Sequence, residues 1–293
     1  MVSADQLITA HREAGRSFRA GGLSSFVRAQ GTGDAVVCLH GIPASSFLYR
    51  KVLPELALRG LRGIAFDLPG FGLADRPEHF PYGPQAHGAW VVEALDALGL
   101  DAFHLVLHDY GGVVGAEVLT RCPERVRSLT VLNTVLDVAR FRRPAAVGVL
   151  LRPGPSDLVV RTLPAALWHR AMLRVGVLDP LSLSRAESDA WLQLIRFGDH
   201  GRSILRTARG VDDVAAAAGE RYAEAVRALT VPRQLIWATS DPVLPLEREG
   251  AVTHALTGGE LHEVPGRHFL QEEQYETIAW RVAELADAAR AAA

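Results

Sequence analysis

The stretch His104-Leu-Val-Leu-His-Asp-Tyr-Gly-Gly-Val-Val-Gly115 carries the densest chemistry in this sequence of 293 residues. An apolar run ends in Asp109, two glycines follow, and a helical pattern begins. That is the strand, sharp turn and helix of a nucleophile elbow, with aspartate in the nucleophile's place. Gly111 and Gly112 suit a turn in which helix backbone passes close to the strand. An aspartate that merely caps the helix would read the same way locally. His40-Gly-Ile-Pro43 follows the apolar run Ala35–Leu39. There the Ile42 N–H, together with the Tyr110 N–H, would form an oxyanion hole facing the elbow. His40 itself reads as a brace for that loop. Asp241 lies in a turn after another apolar run, where an ordinary Asp-Pro turn is the alternative. His268 stands in Pro265-Gly-Arg-His-Phe-Leu-Gln-Glu-Glu273, ahead of the last helical pattern, where a capping or surface histidine is the alternative. Singly these are ordinary, but the order nucleophile, acid, histidine is that of a hydrolytic triad. Asp109, Asp241 and His268 are therefore the candidate catalytic residues.

A carboxylate nucleophile suits displacement at a saturated carbon, because it needs no prior deprotonation and its attack leaves an alkyl ester on the enzyme. His268, oriented by Asp241, would then activate a water toward the ester carbonyl, with the Ile42 and Tyr110 N–H groups holding the oxyanion. Gly-x-Ser-x-Gly, His-Glu-x-x-His and the P-loop are missing, and Gly70-Phe-Gly72 stops one glycine short of a dinucleotide fingerprint. Serine-hydrolase, zinc-protease and nucleotide readings lack support, and neither metal nor cofactor is implied.

The elements that must position these residues follow from hydrophobic periodicity. Strands are expected near Ala35–Leu39, Gly63–Phe66, His104–His108, Leu129–Leu132, Gln234–Trp237 and Leu261–Val264, with Leu23–Ala29 as an antiparallel edge. Helices are expected over Ser46–Leu58, Pro84–Leu98, Gly112–Arg121 and Glu272–Ala291. Between Val135 and about Gly210 the strand signal stops, and Pro144, Pro153, Pro155, Pro164 and Pro180 divide a helical segment into short pieces. The expected organisation is a core over 1–135, a helical cap over 136–211 and the rest of the core over 212–293. Composition agrees with one globular chain, at 48% hydrophobic and 22% charged residues. A formal charge of −2 gives no attraction to nucleic acid or to an anionic membrane. Two cysteines, Cys38 and Cys122, form no metal or disulfide pattern. With no signal-like or membrane-spanning run, a cytoplasmic location is expected.

The motifs His40-Gly-Ile-Pro43, Asp67-Leu-Pro-Gly-Phe-Gly72, Leu107-His-Asp-Tyr-Gly-Gly112 and Arg267-His-Phe-Leu-Gln-Glu-Glu273 resemble the haloalkane dehalogenase and epoxide hydrolase branch of the α/β-hydrolase fold. The likeness spans essentially the whole chain and is densest over residues 35–135 and 230–275. It implies an α/β architecture, a mostly parallel sheet with helices on both faces and a helical cap inserted after the sixth strand. It further implies a hydrolase most like a haloalkane dehalogenase, acting on a small apolar organic substrate and water. Epoxide hydrolysis on the same triad, or ester or lactone hydrolysis, is the alternative. Dehalogenases usually place a halide-binding tryptophan directly after the nucleophile. Here that residue is Tyr110, and the loop position that often holds a second donor is Ile42. The resemblance therefore points to Tyr110 and to a cap tryptophan, Trp168 ahead of Trp191, as halide donors. Epoxide hydrolases use cap tyrosines, and residues 136–211 contain none.

Overall fold

The computed structural model describes residues 2–141 and 151–292, and for residues 212–217 the backbone. Eight strands form one sheet in the order β1 (Gly15–Ala20), β2 (Leu23–Gln30), β4 (Arg62–Phe66), β3 (Ala35–Leu39), β5 (Phe103–His108), β6 (Val126–Leu132), β7 (Arg233–Ala238) and β8 (Glu260–Val264). β2 is antiparallel to both its neighbours, and every other pair is parallel. All six expected parallel strands are present. The expected edge at Leu23–Ala29 is antiparallel but is not the edge, because β1 pairs outside it. Only Phe18 and Ala20 of β1 are buried, so it carries no apolar run to betray it. Gly21 and Gly22, both at positive φ, close the hairpin between the two.

β5 is buried at all six positions, as a central parallel strand covered on both sides must be. α2 (Val52–Leu58) packs with the C-terminal helix α11 (Tyr275–Ala291), while α3 (Pro84–Ala97) packs with α4 (Tyr110–Arg121). α4 starts at Tyr110, immediately after Asp109, two residues before its expected start.

Between β6 and β7 the described chain is helical: α5 (Pro155–Thr162), α6 (Ala165–Val175), α7 (Arg185–Arg196) and α8 (Arg202–Arg227). Pro155 opens α5, Pro164 precedes α6, and Pro180 lies between α6 and α7, as their missing N–H groups require. Pro144 lies outside the described residues. The division expected at residue 211 falls inside α8, which continues to Arg227. The run Ala215–Ala218, a strong helix former, lies within it. α7 is joined to the core through Arg50, whose guanidinium lies 2.6 Å from Glu187 and 2.6 Å from Glu272. Glu272 is wholly buried and also meets Lys51 at 2.9 Å, so the sole lysine serves this ion network. Among the described residues no helix is long and apolar enough to cross a membrane.

Candidate active site

In-register parallel pairing places Leu39 beside Leu107, His108 beside Leu132, Leu132 beside Ile236 and Ala238 beside Val264. The carboxyl ends of β3, β5, β6, β7 and β8 therefore share one edge of the sheet, where the loops of an open α/β sheet form a crevice. Asp109 occupies the turn after β5 with φ 49° and ψ −123°. L-residues adopt this conformation at a cost, and it persists where surrounding contacts enforce it. Here the Asp109 N–H donates to the Asn133 carbonyl and the Thr134 hydroxyl donates to the Asp109 carbonyl. The carboxylate does not cap α4, so that alternative fails.

Asp109 Oδ1 accepts the Ile42 N–H at 2.7 Å. Oδ2 lies 3.4 Å from His268 Nε2. His268 Nδ1 lies 2.9 Å from Asp241 Oδ2. The three predicted residues thus form a continuous chain. Side-chain exposure is 19% for Asp109, 3% for His268 and 0% for Asp241, so only the first is open to an incoming molecule. Asp241 is fully engaged: Oδ1 accepts the Val243 and Leu244 N–H groups, and Oδ2 also accepts Asn133 Nδ2 at 2.8 Å.

Burial by itself would lower the His268 pKa, but the charges of Asp241 and Asp109 outweigh it and push it up to about 10. Burial would raise Asp109, and the His268 contact reverses this and holds its carboxyl below the usual range. Both shifts favour the charged forms, with the His268 proton held between the two acidic side chains.

His40 acts as the brace expected. Its Nε2 accepts the Leu68 N–H, its Nδ1 donates to the Gly41 carbonyl, and burial pushes its pKa down to about 4. The Asp67 motif continues this scaffold, its carboxylate accepting the Ser46 and Leu73 N–H groups at 2.7 Å each. Gly41 has no room for a side chain, because a Cβ there would lie 2.3 Å from Asp109 Oδ1. Gly41→Ala is therefore expected to displace the carboxylate from the Ile42 N–H and lower kcat by about 10²- to 10³-fold, the loss typical of one oxyanion donor. Steady-state kinetics beside a thermal melt will check this, and a rate within threefold of the parent would refute the packing argument.

The two side chains expected to bind halide are each engaged within the protein. His87 Nε2 lies 2.9 Å from the Pro69 carbonyl and must donate to it. Burial pushes the pKa of this ring down to about 4, and its Nδ1 lies 2.8 Å from the Tyr110 hydroxyl and 3.2 Å from the Gly83 carbonyl. The Tyr110 hydroxyl is thereby engaged inside the core. Trp168 Nε1 donates to the Ser188 carbonyl at 2.9 Å, which consumes its one N–H. The Trp191 indole N–H, by contrast, is buried without a hydrogen-bond partner among the described residues, with its ring 4.7 Å from that of Phe269.

Several positioning groups escaped the sequence reading. Asn133, at φ 33° just past β6, accepts the Ala238 N–H and donates to Asp241; an asparagine ending a strand was its only signal. The His268 loop is also clamped to the end of α6. Arg267 Nη1 donates to the Leu173, Arg174 and Val177 carbonyls, and Glu273 Oε1 accepts the Leu178 and Asp179 N–H groups. A guanidinium at a helix C-terminus satisfies orphan carbonyls and complements the dipole.

The fold defines the class. Residues 34–275 match the α/β hydrolase fold family, and the chain belongs to it. Within that class it is 30% identical over 258 residues to a haloalkane dehalogenase of Mycolicibacterium paratuberculosis, a match covering 85% of this chain and 82% of that protein. The haloalkane dehalogenase DatA of Agrobacterium tumefaciens superposes with a TM-score of 0.77 at 26% identity, covering 94% of this chain and 96% of that one. The epoxide hydrolase VrEH1 of Vigna radiata superposes with a TM-score of 0.75 at 21% identity, covering 94% and 98%. The chain is an enzyme of the dehalogenase-like hydrolase type.

Proposed function

We propose that this enzyme hydrolyses haloalkanes through a covalent alkyl ester on Asp109. One observation carries the reading: one Asp109 oxygen sits 2.7 Å from the Ile42 N–H while the other lies 3.4 Å from a histidine that is itself paired with a buried aspartate. Asp109 Oδ2 attacks the halogen-bearing carbon, the carbon–oxygen bond forms, and halide leaves with the electron pair of the broken bond. Oδ1 is already seated against the Ile42 N–H, a donor that holds it when it becomes an oxyanion. Ester formation also removes one of the two charges that retain the His268 proton, so the imidazolium sheds it to solvent and becomes a base. Neutral His268 takes a proton from water, the hydroxide adds to Cγ, the Cγ–Oδ2 bond breaks, the departing oxygen takes up the His268 proton to leave as the alcohol, and the regenerated carboxylic acid returns its proton to His268. The balance is haloalkane and water to alcohol, halide and one proton. The helices between β6 and β7 act as the cap over this site, a role supported by their clamp on the His268 loop.

A His268→Ala variant keeps the nucleophile and lacks the base, so incubation with a bromoalkane is expected to add the alkyl group to the intact protein mass. An adduct formed with epoxides alone, equal to the whole epoxide, would establish the other reaction on the same nucleophile. A folded variant that acquires no adduct from either would overturn the covalent reading.

A further inference from the structure

His108, the last residue of β5, is wholly buried and takes no part in the reaction proposed above. Its Nε2 lies 2.8 Å from the main-chain carbonyl of His268. A carbonyl oxygen only accepts, so Nε2 carries the proton and donates it. The ring is neutral in its environment, where burial and then the adjoining His268 push its pKa down to about 4; Asp109 and Asp241 also face it. Nδ1 is consequently a bare lone pair, and it is buried without a partner among the described residues. An unpaired buried acceptor is a cost that an apolar residue at this strand position would avoid. The His108 ring packs at 5.1 Å from the His268 ring and 5.8 Å from Phe269, so it touches the imidazole it holds by the main chain. The opposite side of the same residue is held by the helical segment, since the His268 N–H donates to the Val175 carbonyl at 3.4 Å. Of the two anchors, only the one from His108 comes from a side chain.

We propose that His108 is a positioning residue for His268, its Nε2–H fixing the main chain at the reach from which the imidazole bridges Asp241 and Asp109. The inference rests on the covalent mechanism above. It separates the two half-reactions: alkylation needs only the Asp109 carboxylate, whereas ester hydrolysis needs His268 Nε2 held on a water. Misplacement by about an ångström costs on the order of 10²-fold in such a step.

The test compares His108→Phe, which keeps a ring and loses the donor, with His108→Gln, whose carboxamide N–H reaches the same carbonyl. Rapid-mix mass spectrometry with a bromoalkane is read for ester formation and ester decay across pH. Expected is hydrolysis slowed about 10²-fold in His108→Phe with alkylation within threefold of the parent, accumulation of the ester, and a shifted pH midpoint for decay. His108→Gln is expected to restore decay to within about fivefold. Equal slowing of both steps, or a glutamine variant as slow as phenylalanine, would overturn the proposal. Should His108→Phe not fold, His108→Asn, whose shorter carboxamide falls short of the carbonyl, carries the same expectation. His268→Ala run alongside separates the two failures: if it traps no ester the covalent mechanism fails, and if it does, a negative result belongs to His108 alone.

Discussion

Replacing Asp109 with asparagine is expected to reduce turnover by at least ~10⁴-fold without unfolding the protein, the scale on which removing a covalent nucleophile acts. The carboxamide has the carboxylate's shape, so contacts with Ile42 and the elbow survive while the attacking charge disappears. The substitution has a second, independent signature. The His268 pKa is pushed up to about 10 because Asp241 and Asp109 together outweigh the effect of burial, and asparagine removes one of those charges just as the proposed alkyl ester would. The His268 titration, followed by NMR of its imidazole, is expected to fall well below the parent value. A variant that keeps turnover within tenfold of the parent would place the nucleophile elsewhere. One that loses turnover with the His268 titration unmoved would refute the charge-release step, since Asp109 would then not be what retains the proton.

Acid is expected to unfold the protein over a narrow range below pH 6. His40, His87 and His108 are each pushed down to about 4, and His11 to about 3, with burial the leading cause in all four. In the folded chain these rings are neutral; in the unfolded chain they take protons near their ordinary value of 6.5. Their contribution is complete above pH 6.5 and is lost as the pH falls toward 4. Each proton is worth about 1.4 kcal/mol per pH unit, so four reach roughly 5–6 kcal/mol per unit at the steepest. That is comparable to the whole stability of an ordinary domain. His268 has the opposite sign, since its raised pKa stabilises fully below 6.5 and that contribution drains as the pH rises toward 10. Urea midpoints across pH 4 to 8 will measure this, and His11→Phe should remove one proton from the slope. A midpoint flat between pH 7 and 4.5 would show that these rings are not held neutral.

Parts of the site were legible because they depend on local pattern. An apolar run that stops at an aspartate and two glycines specifies strand, turn and helix within a dozen residues, and it located Asp109 as an elbow. The apolar runs before Asp241 and His268 placed both at strand ends, and parallel strands bring such ends to one edge. β1 escaped because a strand with one wet face and two inward residues has no apolar run. Residue 211 lies inside a helix that runs from Arg202 to Arg227, because an alanine-rich stretch continues a helix without any break in its pattern.

The residue types and their order thus determined the family, the parallel strands and the three candidate catalytic side chains, since periodicity and turn chemistry are short-range properties of the chain. Only the tertiary structure decided where each polar proton goes. His108 meets His268 across 160 positions of sequence and Asn133 meets Asp241 across 108, while the Tyr110 hydroxyl is paired with His87 and the Trp168 proton goes to the Ser188 carbonyl. A hydroxyl or indole has one proton to donate, and its direction is set by whichever acceptor the folded chain brings within 3 Å, a choice that residue spacing does not encode.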